Sequence, residues 1–210
     1  NLHKTPVYLT WSWRLFSWRH IMEMIAPFGP VIGKVILEDW IYDALIKITD
    51  EELKNPERVN AGASLAGHIK EQINLPTSKL ENEKVTEYFY QAVDFYMRFI
   101  SNDYKGKLRI GDTWCNYMYK SEWNPSHVHN GFISTIIVLK VPQLLPEEGE
   151  ITFTNNSSRV GHELEQGMLY ATPKEKDFFM FPARLNHSVS PFTSEGERRT
   201  VSFNVFWHPE

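Results

Sequence analysis

The sequence is poor in cysteine, since Cys115 is the only one among 210 residues. A single thiol excludes an intramolecular disulfide and any zinc cluster built from several cysteines. This composition is typical of a reducing compartment, so we expect a cytoplasmic location. Cys115 alternates with Trp114 and Asn116 along a predicted strand, and we expect it to be packed rather than catalytic.

The sequence also lacks a long apolar run and an excess of positive charge. The longest apolar stretch near the start, 25–37, is interrupted by two prolines, two glycines and Lys34, so it cannot span a bilayer. The formal net charge of -4 and the pI near 6.1 provide no cationic field for a phosphate backbone. We therefore expect neither a membrane anchor nor a nucleic-acid partner.

Acidic residues are absent before Glu23, whereas this first segment contains three tryptophans and several basic residues. We interpret residues 1–24 as an N-terminal arm or extension, and a membrane-surface or targeting segment is the alternative. Residues 25–210 have the length and the apolar content of one domain with a single core.

Helical patterns dominate the region 38–102. Apolar residues recur at helical spacing from Glu38 to Ile48, and a second helix is expected over 64–74, ahead of Pro76. In a third helix, Ser78 and Glu81 read as a capping box. Its broad apolar face, which we expect to cover a sheet, contains Val85, Tyr88, Phe89, Ala92, Phe95, Tyr96, Phe99 and Ile100.

Short strands separated by turn residues dominate the region 105–208. No helix alternates with them, which favours an antiparallel barrel or sandwich over a doubly wound parallel sheet. About eight strands are expected: 107–110, 113–120, 132–141, 150–154, 168–171, 178–181, 187–191 and 198–207.

Three histidines are candidate metal ligands. His127 and His129 lie two residues apart, so in an extended segment their side chains point to the same side. The pair alone is weak evidence, and His187, which begins a later strand, is the candidate partner. The other histidines lack partners at ligand spacing, and ordinary surface or core roles are expected for His3, His20, His68, His162 and His208.

Arg198 begins a strand with an unusual polar face. Arg198, Thr200, Ser202 and Asn204 share one side, while the alternate residues are mostly apolar. A guanidinium on the inner face of a strand is costly to bury unless it binds a carboxylate. Arg198 therefore indicates either an anion-binding site or an exposed strand on which it pairs with Glu195 or Glu197.

The order of these motifs resembles that of the iron(II)- and 2-oxoglutarate-dependent oxygenases. Within that superfamily the chain is similar to a group of small oxygenases of marine bacteria and their viruses, from about Pro27 to Trp207. The shared motifs are Trp114-Cys115-Asn116, His127-Val128-His129-Asn130, Gly149-Glu150-Ile151-Thr152-Phe153, Phe181-Pro182, His187-Ser188-Val189-Ser190-Pro191, and Arg198 with Ser202-Phe203-Asn204.

The resemblance implies a mainly β, α+β fold: a double-stranded β-helix, the cupin-like jelly-roll barrel, covered by about three helices. It implies a hydroxylase-type dioxygenase that uses iron(II) and 2-oxoglutarate and releases succinate and CO2. Arg198 then matches the anchor of the co-substrate carboxylate, supported by Thr200, Ser202 and Asn116.

One position departs from the superfamily pattern, in which the first histidine is followed two residues later by a carboxylate. Here that residue is His129. Either His127, His129 and His187 form a three-histidine site, which we favour, or His129 is the first ligand and Gly131 takes the carboxylate position. Imidazole in place of carboxylate also lets zinc, nickel or copper compete with iron.

Two other classes of function stay open. One is a cupin-like enzyme with three histidines that does not use 2-oxoglutarate, in which Arg198 binds the carboxylate of the substrate. The other is a non-enzymatic jelly-roll binding module, since the fold alone does not decide function. The expected partner is a small-molecule or peptide substrate, and a homodimer is open. Tyr119, Trp123, Phe132 and Tyr170 are candidates for the pocket mouth.

Overall fold

The computed structural model describes residues 23–25, 29–62, 67–101, 104–155 and 167–208. Residues 1–22 of the expected arm lie outside this part of the chain. Glu23–Ile25 forms a short strand (β1) that pairs with Ile32–Ile36 (β2), so the main sheet begins at Glu23. Within the described residues, no helix is long and apolar enough to cross a membrane.

The described residues form three helices and eleven strands. The helices are Asp39–Lys54 (α1), Thr77–Asn82 (α2) and Val85–Ile100 (α3). The remaining strands are Glu71–Asn74 (β3), Lys107–Met118 (β4), Asn124–His127 (β5), Ile133–Lys140 (β6), Ile151–Thr154 (β7), Met168–Ala171 (β8), Asp177–Pro182 (β9), Asn186–Val189 (β10) and Arg198–His208 (β11).

The strands form two antiparallel sheets. The larger has the order β1-β2-β9-β6-β11-β4-β3, and the smaller has the order β5-β10-β7-β8. The prediction of a mainly β fold with helices in the N-terminal half is confirmed.

Successive side chains of β11 point to opposite faces of the large sheet, one toward the helices and the other toward the small sheet. Val201, Phe203 and Val205 point into the main core, which lies between the large sheet and the helices α1 and α3. There the ring of Phe89 stacks on Phe203 with centroids 4.3 Å apart. The polar alternates of β11 point the other way, toward the small sheet.

The space between the sheets is filled at one end and open at the other. A second apolar cluster, in which Phe153 of β7 packs against Phe179 and Phe181 of β9, occupies the filled end. Polar side chains line the open end. The candidate site lies there because apolar packing does not extend across it.

The predicted helix over 64–74 is wrong for the described residues 67–74. Glu71–Asn74 is β3, which pairs with β4 in the register Ile73↔Cys115. Ile73 is fully buried while its neighbours Gln72 and Asn74 face the other side, which is the two-residue period of a strand. Cross-strand pairing therefore overrides the local helical preference. Residues 63–66 lie outside the described residues.

The third predicted helix is broken, and its capping box is wrong. Lys84 takes a left-handed conformation (φ 58°), which separates α2 from α3, and Pro76 at the N-cap of α2 makes no side-chain capping bond. The buried face of α3 is also narrower than predicted. Phe95, Phe99 and Ile100 are exposed, with Phe95 at 48%.

The predicted strands 107–110 and 113–120 are one strand, β4, which runs through Gly111. β1, β2 and β5 were not predicted. β5 is only four residues long and contains Pro125, so its sequence carries little strand signal.

Candidate metal and co-substrate site

A cavity of about 590 Å³ lies at the open end between the sheets. It is lined by side chains of β3, β4, β5, β10 and β11, and all seven residues singled out for metal or co-substrate binding contribute to it. These are Asn116, His127, His129, His187, Arg198, Thr200 and Ser202.

The three histidines come together on the small-sheet side of the cavity. His127 and His187 face each other in the antiparallel pair β5–β10, with ring centroids 4.3 Å apart. His129 lies two residues beyond the end of β5, where its backbone N–H donates to the carbonyl of Ala183 (2.9 Å). One ring nitrogen from each of the three lies within 4.8 Å of the others, which is compatible with a shared metal ion.

Backbone carbonyls orient two of the rings. Nδ1 of His127 lies 2.7 Å from the carbonyl oxygen of Pro125, and Nδ1 of His187 lies 3.0 Å from that of Leu185. A carbonyl only accepts, so Nδ1 carries the proton in each ring and Nε2 keeps its lone pair. Outer hydrogen bonds of this kind accompany metal-binding histidines in general.

The cluster favours neutral imidazole. Burial, followed by the neighbouring His127, lowers the pKa of His187 to about 3 and that of His129 to about 4. Burial also lowers the pKa of His127. Because a metal binds the unprotonated ring, protons compete weakly for this cluster at neutral pH.

Arg198 is buried in the same cavity and has no carboxylate partner among the described residues. Its side chain is 1% exposed, Nε donates to the carbonyl of Gly149 (3.2 Å), and Nη1 lies 3.7 Å from Sδ of Met118. Nη2 is buried and has no hydrogen-bond partner among the described residues. Burial lowers the pKa of Arg198 to about 10. The guanidinium is therefore an unpaired donor facing a cavity.

The alternative expectation, in which Arg198 pairs with Glu195 or Glu197 on an exposed strand, is wrong. β11 lies between β4 and β6 inside the large sheet. Glu195 pairs with Lys120, and Glu197 pairs with Arg199. Arg199 points to the opposite face, where Asp50 also binds it (2.7 Å), so only one of the two adjacent arginines has its charge compensated.

Thr200, Ser202 and Asn116 lie next to Arg198 on the cavity face. Thr200 is directly opposite Asn116, and Ser202 is opposite Trp114, in the β11–β4 pair. Oδ1 of Asn116 is buried without a hydrogen-bond partner among the described residues. Polar groups of this kind, left free inside a cavity, are expected where a ligand binds.

Sequence reasoning missed part of the lining. Gln72 and Asn74 reach the cavity because 71–74 is a strand, and Arg109 and Asp112 reach it from β4. Asp112 shares the alternation of Trp114 and Asn116, which is a signal that the sequence contains. Arg109 and Gly111 are out of phase with them because the register shifts opposite Phe203 and Val205, so Arg109 could not be predicted in this way. The four aromatic residues expected at the pocket mouth do not line the cavity; the aromatic lining residues are Trp114 and Phe206.

Those residues expected to be ordinary that the structure describes do not join the site. Cys115 is fully buried in the main core, and burial raises its pKa to about 12. His68 and His208 are exposed and outside the cavity. His3, His20 and His162 lie outside the described residues.

The family described as "Putative 2OG-Fe(II) oxygenase" matches residues 112–204. This segment contains all seven expected site residues, although it is less than half of the chain. The match supports the 2-oxoglutarate and iron(II) oxygenase superfamily. Iron(II) and 2-oxoglutarate, the cofactors expected from the sequence, are those of the matched family. No curated protein matches the chain significantly.

Solved structures share the fold at low sequence identity. A 2OG-Fe(II) oxygenase family oxidoreductase from Burkholderia pseudomallei has a TM-score of 0.56 at 14% identity, covering 84% of this chain and 85% of that chain. A Pseudomonas putida prolyl-4-hydroxylase has a TM-score of 0.59 at 11% identity, covering 91% and 94%. HygX from Streptomyces hygroscopicus, with nickel, 2-oxoglutarate and hygromycin B bound, has a TM-score of 0.56 at 11% identity, covering 83% and 82%.

Proposed function

We propose that this protein is an iron(II)- and 2-oxoglutarate-dependent dioxygenase that hydroxylates its substrate and releases succinate and CO2. One observation carries the proposal: a buried arginine that has no counterion among the described residues shares a cavity with three converging histidines. The guanidinium is suited to a carboxylate and the histidine cluster to a divalent metal. A dicarboxylate that is bound to the metal at one end would contact both the cluster and the guanidinium.

The two sheets are, in this proposal, the halves of a double-stranded β-helix with the site at its open end. The helices α1 and α3 stabilise the outer face of the large sheet. Their contacts, such as the bond from the Tyr117 hydroxyl to the carbonyl of Thr49 (2.6 Å), lie on the side of the sheet away from the cavity. The helices therefore support the site without contacting it.

The metal ligands are His127, His129 and His187. Proximity of all three supports this set over the two-histidine alternative, in which His127 would not ligate. The carbonyl contacts that leave Nε2 free on His127 and His187 support it further. A site of three neutral imidazoles also binds zinc, nickel or copper, so the purified protein need not contain iron.

Arg198 anchors the distal carboxylate of 2-oxoglutarate. Nη2 has an unused donor, and the surroundings exclude water because the side chain is 1% exposed. Thr200 and Ser202 add hydroxyl donors from the same face of β11, and Asn116 adds a carboxamide from β4. A carboxylate here would offset the cost of burying the guanidinium.

When bound at the histidines and Arg198, iron and 2-oxoglutarate would supply the oxidation, in which dioxygen and 2-oxoglutarate are converted to succinate and CO2 as a substrate C–H bond becomes C–OH. The protein orients the co-substrate through Arg198 and keeps the histidines unprotonated. The substrate is, in this proposal, a small molecule or a peptide. The cytoplasmic location, the homodimer and the similarity to a group of oxygenases of marine bacteria and their viruses stay predictions.

The test is titration of metal-free protein with iron(II) and then 2-oxoglutarate under argon, followed by measurement of succinate release in air. A weak visible charge-transfer band is expected only when 2-oxoglutarate chelates the iron. A three-histidine enzyme that does not use 2-oxoglutarate would bind iron and show no such band. A binding module would release no succinate with any substrate.

A further inference from the structure

We infer that the outer part of the cavity binds an uncharged, hydroxyl-rich small molecule, such as a sugar or cyclitol, as substrate. This inference rests on the proposed function, because it assigns the part of the cavity that 2-oxoglutarate would leave free. It is carried by carboxamide side chains from four strands and one loop: Gln72, Asn74, Asn116, Asn124, Asn130 and Asn204.

The carboxamides lie close to the histidine cluster. In the β3–β4 pair Gln72 is opposite Asn116, and Asn74 is opposite Trp114. The ring centroid of Trp114 lies 5.4 Å from that of His129, so this end of the β3–β4 pair reaches the histidine cluster. A ligand bound to it would have its C–H groups next to the reacting centre.

Two of the carboxamides require a hydrogen donor from the ligand. Oδ1 of Asn116 and Oδ1 of Asn204 are buried and accept no hydrogen bond from the described residues. The NH2 group of Asn116 is the part that would donate to the co-substrate carboxylate, which leaves its Oδ1 for the substrate. A buried acceptor without a partner is costly, and a carboxylate or phosphate cannot satisfy it because those groups only accept. Each carboxamide also has an NH2 donor. Hydroxyl groups, which donate and accept, match both requirements.

Charge is scarce in this part of the cavity. Apart from Arg198 and the histidines, the charged groups among the described lining residues are Arg109 and Asp112, and both are exposed at the mouth. Water screens such groups, so they contribute little to binding a charged ligand. The Arg109 guanidinium also lies over the ring of Phe206, 4.5 Å from its centroid.

The backbone around the cavity disfavours an extended peptide. Strand addition needs a free sheet edge. The outer edge of β3 is already bonded, from Ala61 N–H to the carbonyl of Gln72 (2.7 Å) and from Asn74 N–H to that of Val59 (3.2 Å). Next to β5, His68 N–H donates to the carbonyl of Trp123 (3.0 Å). A compact ligand fits these closed edges better.

The test measures binding without turnover. Zinc-loaded protein with 2-oxoglutarate is mixed with D-glucose, myo-inositol, L-serine and a doubly blocked tripeptide, and saturation-transfer NMR reports which compounds bind. We expect transfer to the C–H protons of a polyol. Gln72→Met and Asn204→Leu should each weaken it about tenfold, because each removes the hydrogen bonds proposed to the ligand while keeping side-chain volume.

Gln91→Met, on the exposed side of α3, is the matched control and should bind as the unaltered protein does. The inference is overturned if neither polyol binds, if serine or the tripeptide binds in preference, or if polyol binding is the same in both cavity variants. Samples of the same metal-free preparations are also loaded with iron(II) and 2-oxoglutarate under argon, and the charge-transfer band is recorded. Its presence without polyol binding would remove this inference alone, and its absence would remove the proposed function.

Discussion

His187 lies directly opposite His127 in the antiparallel pair of β10 and β5, although sixty positions separate them in the sequence. The pairing fixes two imidazoles on one side of the cavity before any metal binds. His129 joins them from the loop after β5, held through its backbone. The cluster is thus preorganised by strand register, and each member can be tested separately.

Alanine at any of the three histidines should weaken iron binding by at least roughly 100-fold, since losing even an outer partner of a ligand costs 10- to 100-fold. Iron content after dialysis against iron(II) measures this. His129→Asp should retain iron best, because two histidines and one carboxylate suit iron(II). The exposed His208→Ala is the control. Full loading of His127→Ala would leave His129 and His187 as the site.

Arg198→Met should raise the concentration of 2-oxoglutarate needed for half-maximal succinate release by about 10- to 100-fold. The reason is the loss of charge-assisted hydrogen bonds of roughly 1.5–3 kcal/mol. Iron content should barely change, because Arg198 is not a ligand. An unaltered 2-oxoglutarate requirement would contradict the anchor role.

The same variant should not destabilise the ligand-free protein. Arg198 has no carboxylate partner among the described residues, so removing it relieves a buried charge. By contrast, Arg199→Met leaves Glu197 and Asp50 with the more distant Lys140, at 3.5 and 3.7 Å. Thermal unfolding of the two variants is the measurement. We expect an equal or higher melting temperature for Arg198→Met and a lower one for Arg199→Met. A large drop for Arg198→Met would mean that the arginine supports the fold.

A feature that depends on the sequence of a single strand was predicted correctly, whereas features that depend on a neighbouring strand were not. Alternation along 198–207 was readable in the sequence because one strand carries it, and it correctly separated Arg198 from Val201. By contrast, β3 was read as a helix, because only its pairing with β4 makes Glu71–Asn74 a strand. The lining by Gln72 and Asn74 could not be predicted for the same reason.

Helix faces show a similar limit. The periodicity of α3 predicted a buried Phe95, but the face is set by where the sheet lies, which the helix sequence does not contain. The left-handed Lys84 shifts the start of α3 and breaks the continuity that the capping-box prediction assumed. For α3 the type of element was thus predictable, while the face that it buries was not.

The observed face of α3 makes Phe89, and not Phe95, the aromatic residue that supports the fold. Phe89→Ala should lower the free energy of unfolding by about 3–5 kcal/mol, since Phe89 is 1% exposed and stacks on Phe203. Phe95→Ala, at 48% exposure, is the matched control and should change it by about 0.5 kcal/mol or less. Denaturant unfolding measures both. Equal losses in the two variants would contradict the observed face of α3.

Acid should destabilise the metal-free protein through His187. Burial, followed by the neighbouring His127, lowers the folded-state pKa of this histidine to about 3, whereas the unfolded chain has the ordinary value of 6.5. Between these values the unfolded state binds more protons than the folded state. The free energy of unfolding therefore decreases as the pH is lowered from about 6.5 toward 3. At pH 5 the loss from this residue is about 2 kcal/mol, at roughly 1.4 kcal/mol per pH unit. Chemical unfolding with a chelator present, at pH 7 and pH 5, measures it. Burial also lowers the folded-state pKa of His129, to about 4, so this residue loses stability over the same pH range. His187→Gln should therefore reduce the difference by about 2 kcal/mol without abolishing it, and His208→Gln should keep all of it; a difference of the same size in both variants would place the acid sensitivity elsewhere.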